Sequence, residues 1–168
     1  QTTRAIHYLS NQEIKKNSNY LEVDKANKKI VSLIIGGPNN YYNFSKKEID
    51  QVFSKIKILF SPDQFKIIVI PSYRTPKEII EKANNVFGHD HLVVRSVDKK
   101  AYLSALSQAD YIVVTCDSTS MISEAAVTGK PIYIANMKAK KESKRFQAFY
   151  SQLKEINIIK DLEDKIET

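Results

Sequence analysis

Two hydrophobic periods alternate along the chain. Five short stretches are almost continuously apolar and rich in β-branched residues: Ile30-Val31-Ser32-Leu33-Ile34-Ile35, Phe65 to Ile70, Leu92-Val93-Val94, Tyr111 to Val114, and Ile132-Tyr133-Ile134. Runs of this length without polar alternation suit strands buried on both faces of a parallel sheet. Between them apolar residues recur at helical spacing, as in Ile49, Val52, Phe53, Ile56 and Leu59, and again in Phe146, Phe149, Tyr150, Leu153 and Ile156. The helices carry start and stop signals. Ser10 to Glu13 reads as a capping box stapled by Leu9 and Ile14, beginning a helix to about Leu21. Ser45 to Glu48 and Thr75-Pro76-Lys77-Glu78 read as two more, Asp98 caps a helix through Leu106, and Gly88 and Gly129-Lys130-Pro131 are stops. Strands alternating with helices in this way predict an α/β fold, a Rossmann-like parallel sheet of five to six strands with helices on both faces. The expected order is 3-2-1-4-5, which places the fourth strand beside the first.

Composition narrows the picture. With 168 residues and 42% hydrophobic content, the chain can bury a core of its own. Its formal charge is +7, yet 22 of its 26 basic residues are lysine and they are dispersed, a pattern of solvated helix faces. Nucleic-acid readers instead concentrate arginine for forked phosphate and base contacts, so no nucleic-acid partner is expected. The single cysteine, Cys116, allows no internal disulfide and fits a reducing, cytoplasmic setting. No apolar run approaches the length of a membrane span. The stretch Lys138 to Arg145 carries five bases against Glu142, as a solvated loop does, and it also suits an anionic membrane periphery or an acidic protein partner.

The longest structured message is Ala109 to Pro131, which reads as strand, polar turn, helix and stop. Asp117, Ser118, Thr119 and Ser120 lie where the first amides of the helix lack internal partners, a setting suited to an anion. Asp117 or Ser118 is the expected cap. In a sheet of the predicted order ligands sit beyond the strand ends where the order reverses, here between the first and fourth strands. The loops that face each other there are Gly36-Gly37-Pro38-Asn39-Asn40, without side-chain bulk, and Thr115 to Ser120. Arg74, one of only four arginines, stands at the end of the second strand, where a phosphate or acceptor contact competes with a surface ion pair. His89-Asp90-His91 follows a helix stop and lacks a third ligand nearby, so it reads as a solvated turn and no metal is expected. His7 reads as structural, and Cys116 as a small residue packed at a strand end.

Read together, Gly36-Gly37-Pro38, Ser72-Tyr73-Arg74-Thr75-Pro76, and Asp117-Ser118-Thr119-Ser120-Met121 through Glu124-Ala125-Ala126 to Gly129-Lys130-Pro131 resemble the mitochondrial fission ELM family. The resemblance runs from about Ala5-Ile6-His7 to Arg145-Phe146. Tyr73 stands where that family usually has a second arginine, and Lys99-Lys100-Ala101 replaces an Asn-Pro before Tyr102. The family, named for elongated mitochondria in plants, has bacterial members regarded as glycosyltransferases. The resemblance implies a two-domain GT-B architecture, with this chain as the C-terminal half that holds a nucleotide-sugar donor. No permanently bound cofactor is implied. The donor site would draw on Gly36, Gly37, Pro38, Asn39, Ser72, Arg74, Thr75, Asp117, Ser118, Thr119, Ser120, Met121 and Glu124. Glu124 would hold the ribose hydroxyls, and the amides of Ser118 to Met121 would face the diphosphate. Residues 1–29 would be the linker and N-terminal helix from a missing N-terminal domain, with the donor domain at 30–168. The base that activates an acceptor would come from the other half, so the isolated domain would be inactive. The same resemblance admits a noncatalytic partner-binding module, or half of a nucleotide-sugar epimerase.

Overall fold

In the computed structural model, which describes residues 9–163, each of the five apolar runs is a strand. These are β1 (Lys29–Ile35), β2 (Phe65–Pro71), β3 (Leu92–Val93), β4 (Tyr111–Thr115) and β5 (Ile132–Ala135), joined by a short β6 (Ile159–Asp161). The strands form one parallel sheet in the order β3-β2-β1-β4-β5-β6. β4 is central: Ile112 pairs with Ser32 on one side and with Ile132 on the other. All five residues of β4 are buried, as a strand covered on both faces requires.

Among the described residues there are also six helices: α1 (Asn11–Lys16), α2 (Lys46–Leu59), α3 (Lys77–Phe87), α4 (Lys99–Gln108), α5 (Thr119–Ala126) and α6 (Lys144–Glu155). Odd and even positions of the strands divide between the two faces, so each face has its own core. On one face Val31, Leu33, Val69 and Val113 pack under α2 and α3 through Ile49, Phe53, Ile56, Ile79 and Phe87. On the other, Ile34, Ile112, Val114 and Ile132 meet Ile14, Leu103, Leu106 and Ile122 of α1, α4 and α5, with Phe149, Tyr150 and Leu153 of α6 alongside.

The local signals are honoured unevenly. Ser45 and Glu48 form a complete capping box, and the Asp98 carboxylate accepts from the amides of Lys100 and Ala101. The box expected at Thr75 does not form. Pro76 is the cap residue and has no side-chain group that could accept a helix amide, and the Thr75 hydroxyl donates instead to the carbonyls of Ile35 at 2.9 Å and Gly36 at 2.6 Å. α1 also ends earlier than Leu21. Asn17 turns back on it, its side-chain amide donating to the Glu13 carbonyl at 2.9 Å. The chain beyond lies along α4, where the Leu21 amide donates to Ser104 Oγ, and Gln108 donates to the carbonyls of Ser18 and Leu21. Lys130, past the end of α5, caps α4 by donating to the carbonyls of Leu106 and Ser107. His7 lies outside the described residues.

Candidate functional site

β1 and β4 end side by side, and the loops that follow them meet as the reversal of strand order predicts. Thr115, the last residue of β4, accepts the Gly36 amide on its hydroxyl at 2.9 Å. Asp117 is not the helix cap. Its side chain is fully buried and takes the Gly37 amide on Oδ2 at 2.9 Å, while Arg74 Nη2 lies 3.0 Å from the same oxygen. Arg74 Nη1 also donates to the Gly37 carbonyl at 2.7 Å, and the Asn39 side-chain amide donates to the Asp117 carbonyl at 3.0 Å. The cap of α5 is Ser118, whose Oγ accepts the Met121 amide at 3.4 Å.

The two glycines are therefore explained by packing. A Cβ on Gly36 would lie 1.9 Å from Asp117 Oδ2, and one on Gly37 would lie 2.0 Å from the Arg74 carbonyl oxygen. Gly36 and Gly37 are buried, and the base of the crevice between the two loops is filled by the Asp117 carboxylate. The carboxylate's other oxygen, Oδ1, is buried without a hydrogen-bond partner.

The open space lies next to this knot, toward α4. A cavity of about 380 Å³ is bounded by the β2–α3 loop, the start of α4 and the first two turns of α5. Ser72, Arg74, Ser118, Ser120, Met121 and Glu124 line it, together with Tyr102, Asp98, Val97 and Tyr73. Of the residues expected at the site, Gly36, Gly37, Pro38, Asn39, Thr75, Asp117 and Thr119 are absent from this lining. Several of them build the floor behind it. Arg74 belongs to both groups: its guanidinium is held by Asp117 and Gly37, yet its side chain remains 38% exposed at the cavity wall.

Across this cavity the Tyr102 hydroxyl donates to Glu124 Oε1 at 2.8 Å. Burial, and then the adjacent carboxylate, push the Tyr102 phenol well above its ordinary pKa, so it remains an O–H donor. Nothing in the local sequence signals this pair, since the residues are 22 positions apart on different helices. Tyr73 projects almost entirely into solvent at the cavity's edge.

Other candidates take structural places. Cys116 is buried, accepts the Met137 amide at 3.3 Å, and has its thiol pushed up to about 11 by burial. His89 is exposed, but His91 is not the solvated residue its turn suggests: it is buried, and its Nδ1 accepts the Ile67 amide at 3.0 Å. No group of three or more His, Cys, Asp or Glu side chains among the described residues is placed to hold a metal. The basic stretch folds back on the β1–α2 loop, where the Lys140 amide meets the Tyr41 carbonyl and Lys141 lies over the Tyr41 ring. No helix among the described residues is long and apolar enough to cross a membrane.

A six-stranded parallel sheet of this order, with its cavity at the carboxyl edge, defines a Rossmann-like domain of the GT-B type. Among solved structures the domain superimposes on the Staphylococcus aureus MnaA–UDP co-structure with a TM-score of 0.53 at 14% identity, covering 88% of this chain and 43% of that one. It also superimposes on the UDP-GlcNAc 2-epimerase from Neisseria meningitidis bound to UDP-GlcNAc, with a TM-score of 0.50 at 13% identity and coverages of 91% and 36%. The chain belongs to the family described as Mitochondrial fission ELM1, which it matches over residues 1–168. An uncharacterized protein of Rickettsia prowazekii (strain Madrid E) is 34% identical over 113 residues, covering 64% of this chain. The Mitochondrial fission protein ELM1 of Arabidopsis thaliana is 28% identical over 138 residues, covering 79%. The matched regions span 31% and 32% of those two relatives, so this chain corresponds to about a third of their length.

Proposed function

We propose that this chain holds the nucleotide-sugar donor in a GT-B-type glycosyltransferase of its family. One observation carries the reading: an anion-attracting helix start, an arginine and a carboxylate converge on a single cavity. The first turn of α5 presents amides without intrahelical partners, and the dipole of the helix favours negative charge there. Arg74 adds a cation that lines the cavity with its side chain partly exposed, suited to a diphosphate, and its pairing with Asp117 holds it in place. Glu124, one and a half turns further along α5, supplies an acceptor pair suited to vicinal sugar hydroxyls. A ligand with an anionic diphosphate next to a ribose fits this sequence of groups. UDP is the first nucleotide to test, since MnaA and the epimerase were solved with UDP and UDP-GlcNAc.

The chemistry of transfer needs a base within about 3 Å of the attacking hydroxyl. The cavity lining supplies no histidine; of its carboxylates, Asp98 caps α4 and accepts from Tyr20 and Glu124 accepts from Tyr102, while the buried Asp117 beside it is committed to Arg74 and Gly37. The acceptor's base is assigned to a second domain across the cleft.

Calorimetric titration of UDP into the native-length protein, with Glu124→Ala as the comparison, tests the reading. Saturable binding is expected, weakened in the variant by about 1–3 kcal/mol, the range for losing a charged hydrogen-bonding partner. Absence of binding at millimolar UDP overturns the proposal in favour of a partner-binding module.

A further inference from the structure

We infer that Tyr102 is a positioning residue for Glu124, and that the pair makes the cavity selective for a ribonucleotide over its 2′,3′-dideoxy counterpart. The inference rests on the nucleotide reading above and adds to it a residue and a specificity.

The Tyr102 ring is set before any ligand arrives. Asp98 caps α4 with its carboxylate and accepts the Tyr102 amide on its carbonyl at 3.0 Å, so the backbone of the first turn is fixed. Asp98 is itself tied to the preceding segment by the Tyr20 hydroxyl at 2.7 Å. From that turn Tyr102 packs against both the α4–α5 core and the core beneath α4. Its hydroxyl reaches across to α5 and has one proton to donate, which goes to Glu124 Oε1. A carboxylate offers about four acceptor positions. Tyr102 occupies one on Oε1, and the others, those of Oε2 among them, are left for a ligand in the cavity that both side chains line.

Glutamate is among the side chains that lose most rotamer freedom when fixed. A bond from an immobilised ring removes that loss in advance, leaving the free oxygen oriented when a diol arrives. Without the bond the carboxylate must be ordered by the ligand itself, and the part of the affinity that depends on hydroxyls falls. A ligand lacking those hydroxyls gains nothing from Glu124, so Tyr102 is irrelevant to it.

The test compares binding of UDP with that of 2′,3′-dideoxy-UDP to the native-length protein and to Tyr102→Phe, Glu124→Gln and the double variant. The parent is expected to prefer UDP by about tenfold or more, the equivalent of one hydrogen bond to a charged group. Y102F keeps the ring, and is expected to bring the preference within about threefold while leaving the dideoxy affinity unchanged. E124Q should lower it as far, and the double variant no further. Equal weakening of both nucleotides in Y102F would show Tyr102 to be packing alone and overturn the inference, as would a preference as large as the parent's. Additive losses in the double variant would also overturn it. If the parent binds neither nucleotide, the nucleotide reading fails and this inference fails with it.

Discussion

Arg74 Nη2 lies 3.0 Å from Asp117 Oδ2, joining the loop after β2 to the loop after β4 across the end of β1. The two partners are unequally exposed: the arginine side chain keeps 38% of its surface in contact with solvent and the aspartate none. Gly37 closes the triangle, giving its amide to the same carboxylate oxygen and its carbonyl to the guanidinium. A buried carboxylate needs both a cation and hydrogen bonds to be tolerated, and these two contacts supply them. The arrangement also sets where Arg74 stands at the cavity wall, so stability and ligand binding share one set of bonds.

The unequal burial predicts unequal costs of substitution. Arg74→Ala strands a carboxylate that cannot reach water, and is expected to cost about 3 kcal/mol. Asp117→Asn leaves an acceptor for the Gly37 amide, and the released guanidinium is already partly solvated, so its cost should be about 1–2 kcal/mol. Urea unfolding of the two variants checks the order. A larger loss for Asp117→Asn would contradict this account, since that variant keeps an acceptor for the Gly37 amide and loses only the charge.

The same triangle forbids side chains on the glycines. At Gly37 a methyl group would lie 2.0 Å from a backbone carbonyl oxygen, which cannot rotate away. At Gly36 it would meet the Asp117 carboxylate, which moves only by giving up Arg74 and Gly37. Either Gly→Ala change is expected to destabilise by about 3 kcal/mol through overpacking, the Gly37 change more than the other. Denaturation midpoints decide, and a neutral Gly37→Ala would contradict the packing account.

How legible all this was in the chain depends on range. The strands follow from local apolar runs, and Ile112 pairs with β1 and β5 as the expected order requires, which brings together the loops after β1 and β4. Ser45 and Glu48 are three residues apart and announce their box directly. Asp117 did not announce its role, because its neighbours Ser118 and Ser120 make it look like a cap, while its real partners lie 43 and 80 positions away. Thr75 was misleading for the same reason: it fits a capping pattern, but the end of β1 competes for its hydroxyl. Tyr102 was invisible as a site residue, since its relation to Glu124 exists only once α4 and α5 lie side by side. The short β6 carries too few residues for a period to show.

Cys116 reports on opening of the fold. Its thiol is buried and displaced upward to about 11, so the thiolate that reacts with an alkylating reagent is scarce at pH 8 and shielded from it. Labelling of the native protein by iodoacetamide should proceed only through transient unfolding, and should accelerate in Arg74→Ala by about tenfold for each 1.4 kcal/mol of stability lost. Prompt labelling of the native protein at pH 8 would contradict the burial.

His91 makes stability depend on pH in a defined window. Its Nδ1 accepts the Ile67 amide in the first part of β2, which requires the neutral imidazole with its proton on the other nitrogen. Burial lowers its pKa from the ordinary 6.5 to about 4, with nearby lysines acting in the same direction and Asp90 opposing them. In the unfolded chain the ring takes up a proton near its ordinary value, so between these two limits the unfolded state binds more protons than the folded one. Stability therefore rises as pH increases from about 4 to about 6.5 and is unaffected by this group above that range. Below the folded value both states are protonated, and the loss is complete. His91→Gln offers an acceptor oxygen to the same amide without a titratable ring. The difference in unfolding free energy between the parent and this variant, measured by urea titration from pH 4 to pH 8, should be constant above 6.5 and shift in the variant's favour as pH falls. A difference that stays flat across the whole range would remove His91 as the source of the dependence.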